Sequence, residues 1–227
     1  MPFPRQQRFF FHTEAKLLPG QASPPAGCAT LSEIAPDKTD ANGGGGGHLS
    51  TSSGAAASQL NKPTAIDNTT VVGAPPTTNP PNALHQFCWF TDYAQNGIYM
   101  TGNWTFVFRE LDALATITSH WTVNLYANTT RNFASPIRFV KQIVLSVDNS
   151  TGTTSVQTQT ISVPGFALTN EFLIVQVWCH ETAGFSASQS MTFRQEGVNL
   201  ADSARSNILT ATWSDTGWLP AARGGSG

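Results

Sequence analysis

Beyond residue 83, apolar and polar residues alternate in short runs, the pattern of strands that bury one face. Trp104, Phe106 and Phe108 fall on one face of a run, with Thr105, Val107 and Arg109 on the other. Trp121, Val123 and Leu125 oppose Thr122, Asn124 and Tyr126 in the same way. Phe172, Ile174 and Gln176 alternate with Leu173, Val175 and Val177, so this run is apolar on nearly both faces and belongs at the centre of a sheet. The runs predict strands at residues 84–93, 103–109, 120–127, 137–147, 153–163, 171–180, 189–194 and 208–213. Asn96-Gly97, Asp148 to Gly152, Pro164-Gly165 and Ala183-Gly184 mark turns. The short loop from Asp148 to Gly152 makes 137–147 and 153–163 the best hairpin in the chain. Leu111, Leu114 and Ile117, at spacing three, predict a short helix or an irregular connection over 110–118. The whole pattern predicts an all-β fold: an antiparallel β-sandwich, a jelly roll first and an immunoglobulin-like sandwich second. The second loses ground because Cys88 and Cys179 enclose too many strands for the usual inter-sheet disulfide.

The first 82 residues carry a different pattern. They hold Pro2, Pro4, Pro19, Pro24, Pro25, Pro36, Pro63, Pro75, Pro76, Pro80 and Pro81, five consecutive glycines at 43–47, and no Trp or Tyr. A stretch with so little apolar area does not offset the entropy of ordering itself. Three parts are therefore expected: an extended arm over 1–82, a sandwich over 83–219 and a flexible tail over 220–227. Phe9, Phe10 and Phe11 need burial somewhere, and Val71 and Val72 lie in a short run able to add to a sheet edge. These five residues are the expected partner contacts of an arm that orders on neighbouring subunits.

Composition sharpens this picture. Charged residues make up 11% of the 227, against the roughly 25% usual in soluble domains. The 12 Lys plus Arg and 14 Asp plus Glu leave a net charge of -2, which excludes nucleic-acid binding by bulk charge. A chain this poor in charge favours association. The apolar run after Arg5 and Arg8 is too short for a secretion signal, and no stretch approaches a membrane span. A protein made in a cytoplasm, with no membrane partner, is expected.

Candidate chemistry is sparse. No nucleophile elbow, zinc-protease motif, phosphate loop or dinucleotide fingerprint occurs. Cys179, His180 and Glu181, with His85 and Cys88, could in principle converge on a metal, and Glu110, Asp112 and Glu181 on a glycosidic bond. Buried cysteine and edge polar residues account for both sets more simply. No catalytic residue, cofactor or metal is expected, and the chain is not expected to be an enzyme. Trp89, Trp104, Trp121, Trp178, Trp213 and Trp218 could supply stacking platforms for a sugar. Alternation places Trp104, Trp121 and Trp178 in the core instead, and leaves Trp213 and Trp218 open to a partner. The sequons at Asn68, Asn103, Asn128 and Asn149 reflect a Thr- and Asn-rich composition.

The opening Arg8-Phe9-Phe10-Phe11-His12, the strand Thr101 to Phe108 with its Trp-x-Phe-x-Phe, and the run Leu168 to Trp178 resemble virion structural proteins of tailed bacteriophages, specifically the capsid decoration or cement type. This resemblance implies a bacteriophage virion protein that stabilises a capsid. Its partners would be the major capsid protein and copies of itself, in a homo-oligomer such as a trimer. Arm-mediated wrapping and multivalent attachment are compatible with that role. A neck, tail or fibre component, or a carbohydrate-binding module for host attachment, would share the same composition.

Overall fold

The computed structural model describes residues 4–12, 20–25, 28–34, 57–61, 86–112, 118–133, 137–149, 155–183, 190–194 and 206–215. They form strands and no helix: β1 Arg5–Phe11, β2 Ala29–Ser32, β3 Ala57–Asn61, β4 Gln86–Thr91, β5 Gln95–Tyr99, β6 Gly102–Asp112, β7 Thr118–Asn128, β8 Arg138–Asn149, β9 Ser155–Val163, β10 Phe166–Ala183, β11 Ser190–Arg194 and β12 Asn207–Asp215. The fold is all-β and sandwich-like, as the alternation predicts. One layer runs β9-β6-β12-β1, with β11 and β3 continuing from β6; the other runs β2-β4-β10-β7-β8. All described pairings are antiparallel except β2 with β4.

Two junctions close the layers on one side. β1 pairs β12 and β2, and β2 pairs β4; β5 pairs both β10 and β12. β10 serves β5 and β4 in turn because its register shifts between Thr169 and Glu171, where Asn170 takes a left-handed φ of 52°. Asn tolerates that conformation better than most residues. The interior holds Trp104, Phe106 and Phe108 from one layer against Trp121, Val123, Leu125, Leu173, Val175 and Val177 from the other. Ile174 and Tyr126, on the opposite faces of β10 and β7, join Phe90, Cys28 and Cys88 in a second cluster. This is why the β10 run is apolar on both faces. Burial pushes the Cys88 thiol well up, with Cys28 beside it adding to the shift.

Several expectations change. Phe9, Phe10 and Phe11, expected on a partner, are buried in the chain's own sandwich, at 0%, 4% and 0% exposure. The physical reason is strand order: β1 fills the place between β12 and β2, so its apolar face meets the core before any neighbour could. Residues 5–11, 29–32 and 57–61, expected in an arm without structure, supply β1, β2 and β3. Val71, Val72 and residues 220–227 lie outside the described residues. The expected hairpin is not formed either: β8 pairs β7 while β9 pairs β6, so the two strands belong to different layers. Asn96-Gly97, expected as a turn, lies within β5. Of the expected helix or irregular segment, residues 110–112 finish β6 and 113–117 lie outside the described residues.

The Phe11 ring meets Trp89 edge-on at 4.7 Å between centroids and Phe108 at 5.7 Å, so it touches both layers. Trp89 Nε1–H donates to the His12 carbonyl at 3.0 Å, and His12 Nε2–H donates to the Ile34 carbonyl at 2.9 Å. Arg131, 4% exposed, reinforces this junction from the β7 end. Its Nε donates to Thr91 O at 3.2 Å, and its terminal nitrogens donate to Ala22 O at 2.6 Å and Thr30 Oγ1 at 2.7 Å. Desolvation lowers the pKa of this guanidinium, with Asp92 opposing the shift. Asp92 accepts from Ser32 Oγ–H at 2.6 Å through one oxygen, while its other oxygen is buried without a partner. Burial therefore raises the carboxyl above its ordinary 3.8, and the Ser32 hydroxyl and Arg131 oppose this without cancelling it.

Phe11→Ala is expected to cost about 3–5 kcal/mol, since the cavity would open between two layers that cannot both collapse onto it. Urea unfolding measures this directly, and a loss no larger than that of an exposed residue would show that β1 is not part of the core. The Asp92 proton gives a second test. Because the folded chain holds that proton more tightly than the unfolded chain, stability falls as pH rises from 3.8 through the raised value. Asp92→Asn is expected to remove that downward slope in urea midpoints measured across the same pH range.

Candidate functional site

The closed side of the sandwich carries a cleft and its other side carries an edge strand. The cleft, of about 290 Å³, lies where β1, β5 and β12 meet and is lined by Arg5, Gln7, Tyr93, Ala94, Gln95, Asn96, Trp213 and Asp215. Its shape follows from Gly97. A Cβ there would collide with the Trp213 ring and the Ser214 carbonyl, so only glycine lets the indole lie over the β5 backbone. Trp213 is 2% exposed and its Nε1–H donates to Asp215 Oδ1 at 2.5 Å. Tyr99 packs on it at 4.4 Å between centroids.

The polar groups around the cleft are largely engaged with one another. Arg5 makes a two-pronged contact with Glu33, 2.8 Å at each nitrogen, which raises the guanidinium pKa. Tyr93 Oη–H donates to the same carboxylate at 2.8 Å. Burial of the hydroxyl end, then Glu33, pushes the Tyr93 phenol up, while the residue as a whole stays 43% exposed. Below them the Tyr99 hydroxyl sits 2.6 Å from Gln7 Oε1 and 2.8 Å from Gln95 Oε1, and burial holds it neutral by pushing its pKa well up.

Among the described strands, β9 forms an edge. Its sequence, SVQTQTISV, contains no charged residue and no proline. It pairs β6 from Gly102↔Val163 to Glu110↔Ser155 without a register shift, and it pairs no other described strand. Val156, 45% exposed, and Thr158, Thr160 and Ser162 face outward. Sheet edges in soluble proteins are normally blunted by lysine, proline or a bulge, and β9 has none of these. β8, the end strand of the other layer, carries Arg138 and Lys141.

Of the residues singled out in the sequence, Trp104 and Trp121 are core, as the alternation requires, and Trp89 joins them. Trp213 is both core and cleft lining. In the strand register His180 lies opposite His120, and Cys88 lies opposite Gln176. The side chains of Glu110, Asp112, Trp178, Cys179, His180 and Glu181 fall outside the described residues, as do His85 and Trp218 entirely. Asn128, one of the sequon asparagines, is buried and donates to Asn132 O at 2.7 Å. The cleft residues were not apparent in the sequence. They come from separate stretches, and only the Asn96-Gly97 pair gave a local signal, which pointed to a turn.

No protein-family model and no curated protein matches the chain. Among solved structures, an aminopeptidase from the marine sediment archaeon Thaumarchaeota archaeon is similar, with a TM-score of 0.51 and 9% identity over 92% of this chain and 37% of that one. An α-amino acid ester hydrolase follows at a TM-score of 0.43 and 10% identity, over 93% of this chain and 34% of that one. A structure of infectious bursal disease virus, Gt strain, follows at a TM-score of 0.31 and 12% identity, over 73% and 37%. The chain thus spans little more than a third of the length of these proteins. The likeness to the aminopeptidase concerns fold alone, yet it corrects the expectation that the chain is not an enzyme. A sandwich of this shape is part of a hydrolase there, so missing sequence motifs do not separate this fold from enzymes.

Gly97→Ala is expected to lower stability by about 1–3 kcal/mol through overpacking against Trp213. Thermal unfolding followed by tryptophan emission reports both the loss and the displaced indole. An unchanged melting temperature would show that the ring does not rest on this backbone.

Proposed function

We propose that the chain is a structural assembly module that joins its neighbours by strand pairing along β9, as a component of a bacteriophage virion shell. The uncharged, unbulged edge of β9, which pairs no described strand besides β6, carries this reading. Such an edge is a template for a strand from another chain, whose backbone N–H and C=O groups would complete the ladder. Outward-facing threonines and Val156 suit the added strand's neighbours. The low charge of the chain supports the reading, because close neighbours need little mutual repulsion. The viral setting rests on the resemblance of the Trp-x-Phe-x-Phe strand and the Arg8 to His12 opening to phage virion proteins of the decoration type. In that setting the capsid protein or a second copy of the chain supplies the pairing strand, and symmetry multiplies each contact into firm attachment.

The double substitution Thr158→Lys with Thr160→Lys puts like charges opposite one another in a two-fold pairing centred on the middle of β9, which is destabilising. Analytical ultracentrifugation is expected to show an oligomer for the wild-type chain and a monomer for the variant, with the melting temperature nearly unchanged. A wild-type chain that is monomeric both alone and with its shell, or a variant that assembles equally well, would overturn the proposal.

A further inference from the structure

The geometry of the cleft between β1, β5 and β12 points to a binding site for a neutral, hydroxyl-rich ligand the size of one sugar ring. Gln95 carries the argument. It is 2% exposed, it lines the cavity, and the Tyr99 hydroxyl lies between its Oε1 and that of Gln7. A phenol has one proton, so it donates to only one of the two amides. If Gln95 accepts that proton, its buried Nε2 has no protein partner. If Gln7, the nearer one, accepts it, Gln95 turns its NH₂ to the phenol oxygen and leaves its own oxygen without a donor. Either way one end of a buried amide is unmatched, and a ligand hydroxyl, both donor and acceptor, fits both orientations.

The rest of the cleft offers an anion no open cation and a cation only one part-engaged carboxylate. Arg5 is held by both oxygens of Glu33, so an anion meets no uncommitted cation among the described lining residues, and a cation meets only Asp215, one of whose oxygens the Trp213 indole occupies. What remains open is the exposed Tyr93 ring, fixed at the rim by its hydrogen bond to Glu33, beside the exposed Asn96 amide. An aromatic face next to amide groups matches a pyranose, which presents C–H bonds on one side and hydroxyls at its edge. A volume of about 290 Å³ admits one such ring and not a chain of them. This site shares no residue with β9 and does not depend on the assembly reading.

The test is titration calorimetry of the full chain with glucose, galactose, mannose and N-acetylglucosamine, alongside inorganic phosphate and tetramethylammonium as charged probes. At least one sugar is expected to bind in the millimolar range, and neither charged probe is expected to bind. Tyr93→Ala removes an exposed ring without opening the core and is expected to weaken sugar binding about tenfold. Gln95→Met is expected to abolish binding; if that variant does not fold, Tyr93→Ala decides alone. Absence of heat with every sugar, sugar binding unaffected by Tyr93→Ala, or binding of phosphate or tetramethylammonium in place of sugars would overturn the proposal.

Discussion

The ring of Phe11 rests on Trp89 in one layer and on Phe108 in the other, and the sandwich closes around that contact. Without β1, the β12 edge and the β2 edge would both stand open, and the interior aromatics Trp89, Trp104, Trp121 and Trp213 would lose their cover on that side. Each phenylalanine of β1 contributes roughly 1.5–3 kcal/mol by burial, a large share of the net stability of a domain of this size. The polar groups beside it serve the same closure. Arg131 ties the backbone of the 20–25 stretch and β2 to the end of β7, while Ser32 and Asp92 join β2 to the end of β4. An N-terminal segment rich in proline and glycine is thus held by a few long-range contacts placed where strands pass each other.

Closure on one side leaves the sandwich asymmetric, and the asymmetry separates two kinds of surface. On the closed side, β5 bridges the layers and Gly97 lets Trp213 lie across it, which leaves a small polar cleft with an aromatic rim. On the other side, β8 and β9 are consecutive in sequence but belong to different layers, so neither satisfies the other's edge. β8 carries charge, whereas β9 carries none. An edge left chemically plain suits pairing with another chain, and a cleft whose arginine is already paired with a carboxylate suits a neutral ligand. The two proposed sites share no residue, so each can be tested without the other.

Much of the sandwich could be read from alternation. The strands carrying Trp104, Trp121 and Val175 stand close to their predicted places because period-two burial is a local property of sequence. Partner choice is not local. Proximity favoured a hairpin between β8 and β9, but their pairing is decided by which interior face each must cover. The N-terminal strands were misjudged for a related reason: composition measures whether a segment can form its own core, and β1 borrows one. Phe9, Phe10 and Phe11 were rightly marked as needing burial, yet the sequence offered no sign that the burial would be within the chain. The cleft was the least legible feature. Gln95, Tyr93 and Asp215 are ordinary polar residues until the Tyr99 hydroxyl and the Gly97 backbone bring them together.

Native-state hydrogen exchange at the β1 amides tests the central claim, that the N-terminal strand is an integral member of the sandwich and the source of its closure. Protection of the amides of Gln7, Phe9 and Phe10 comparable to that of β6 and β10 is the expected result, because they open only when the whole domain does. Exchange of those amides at the rate of an unstructured peptide, with β6 and β10 still protected, would contradict it.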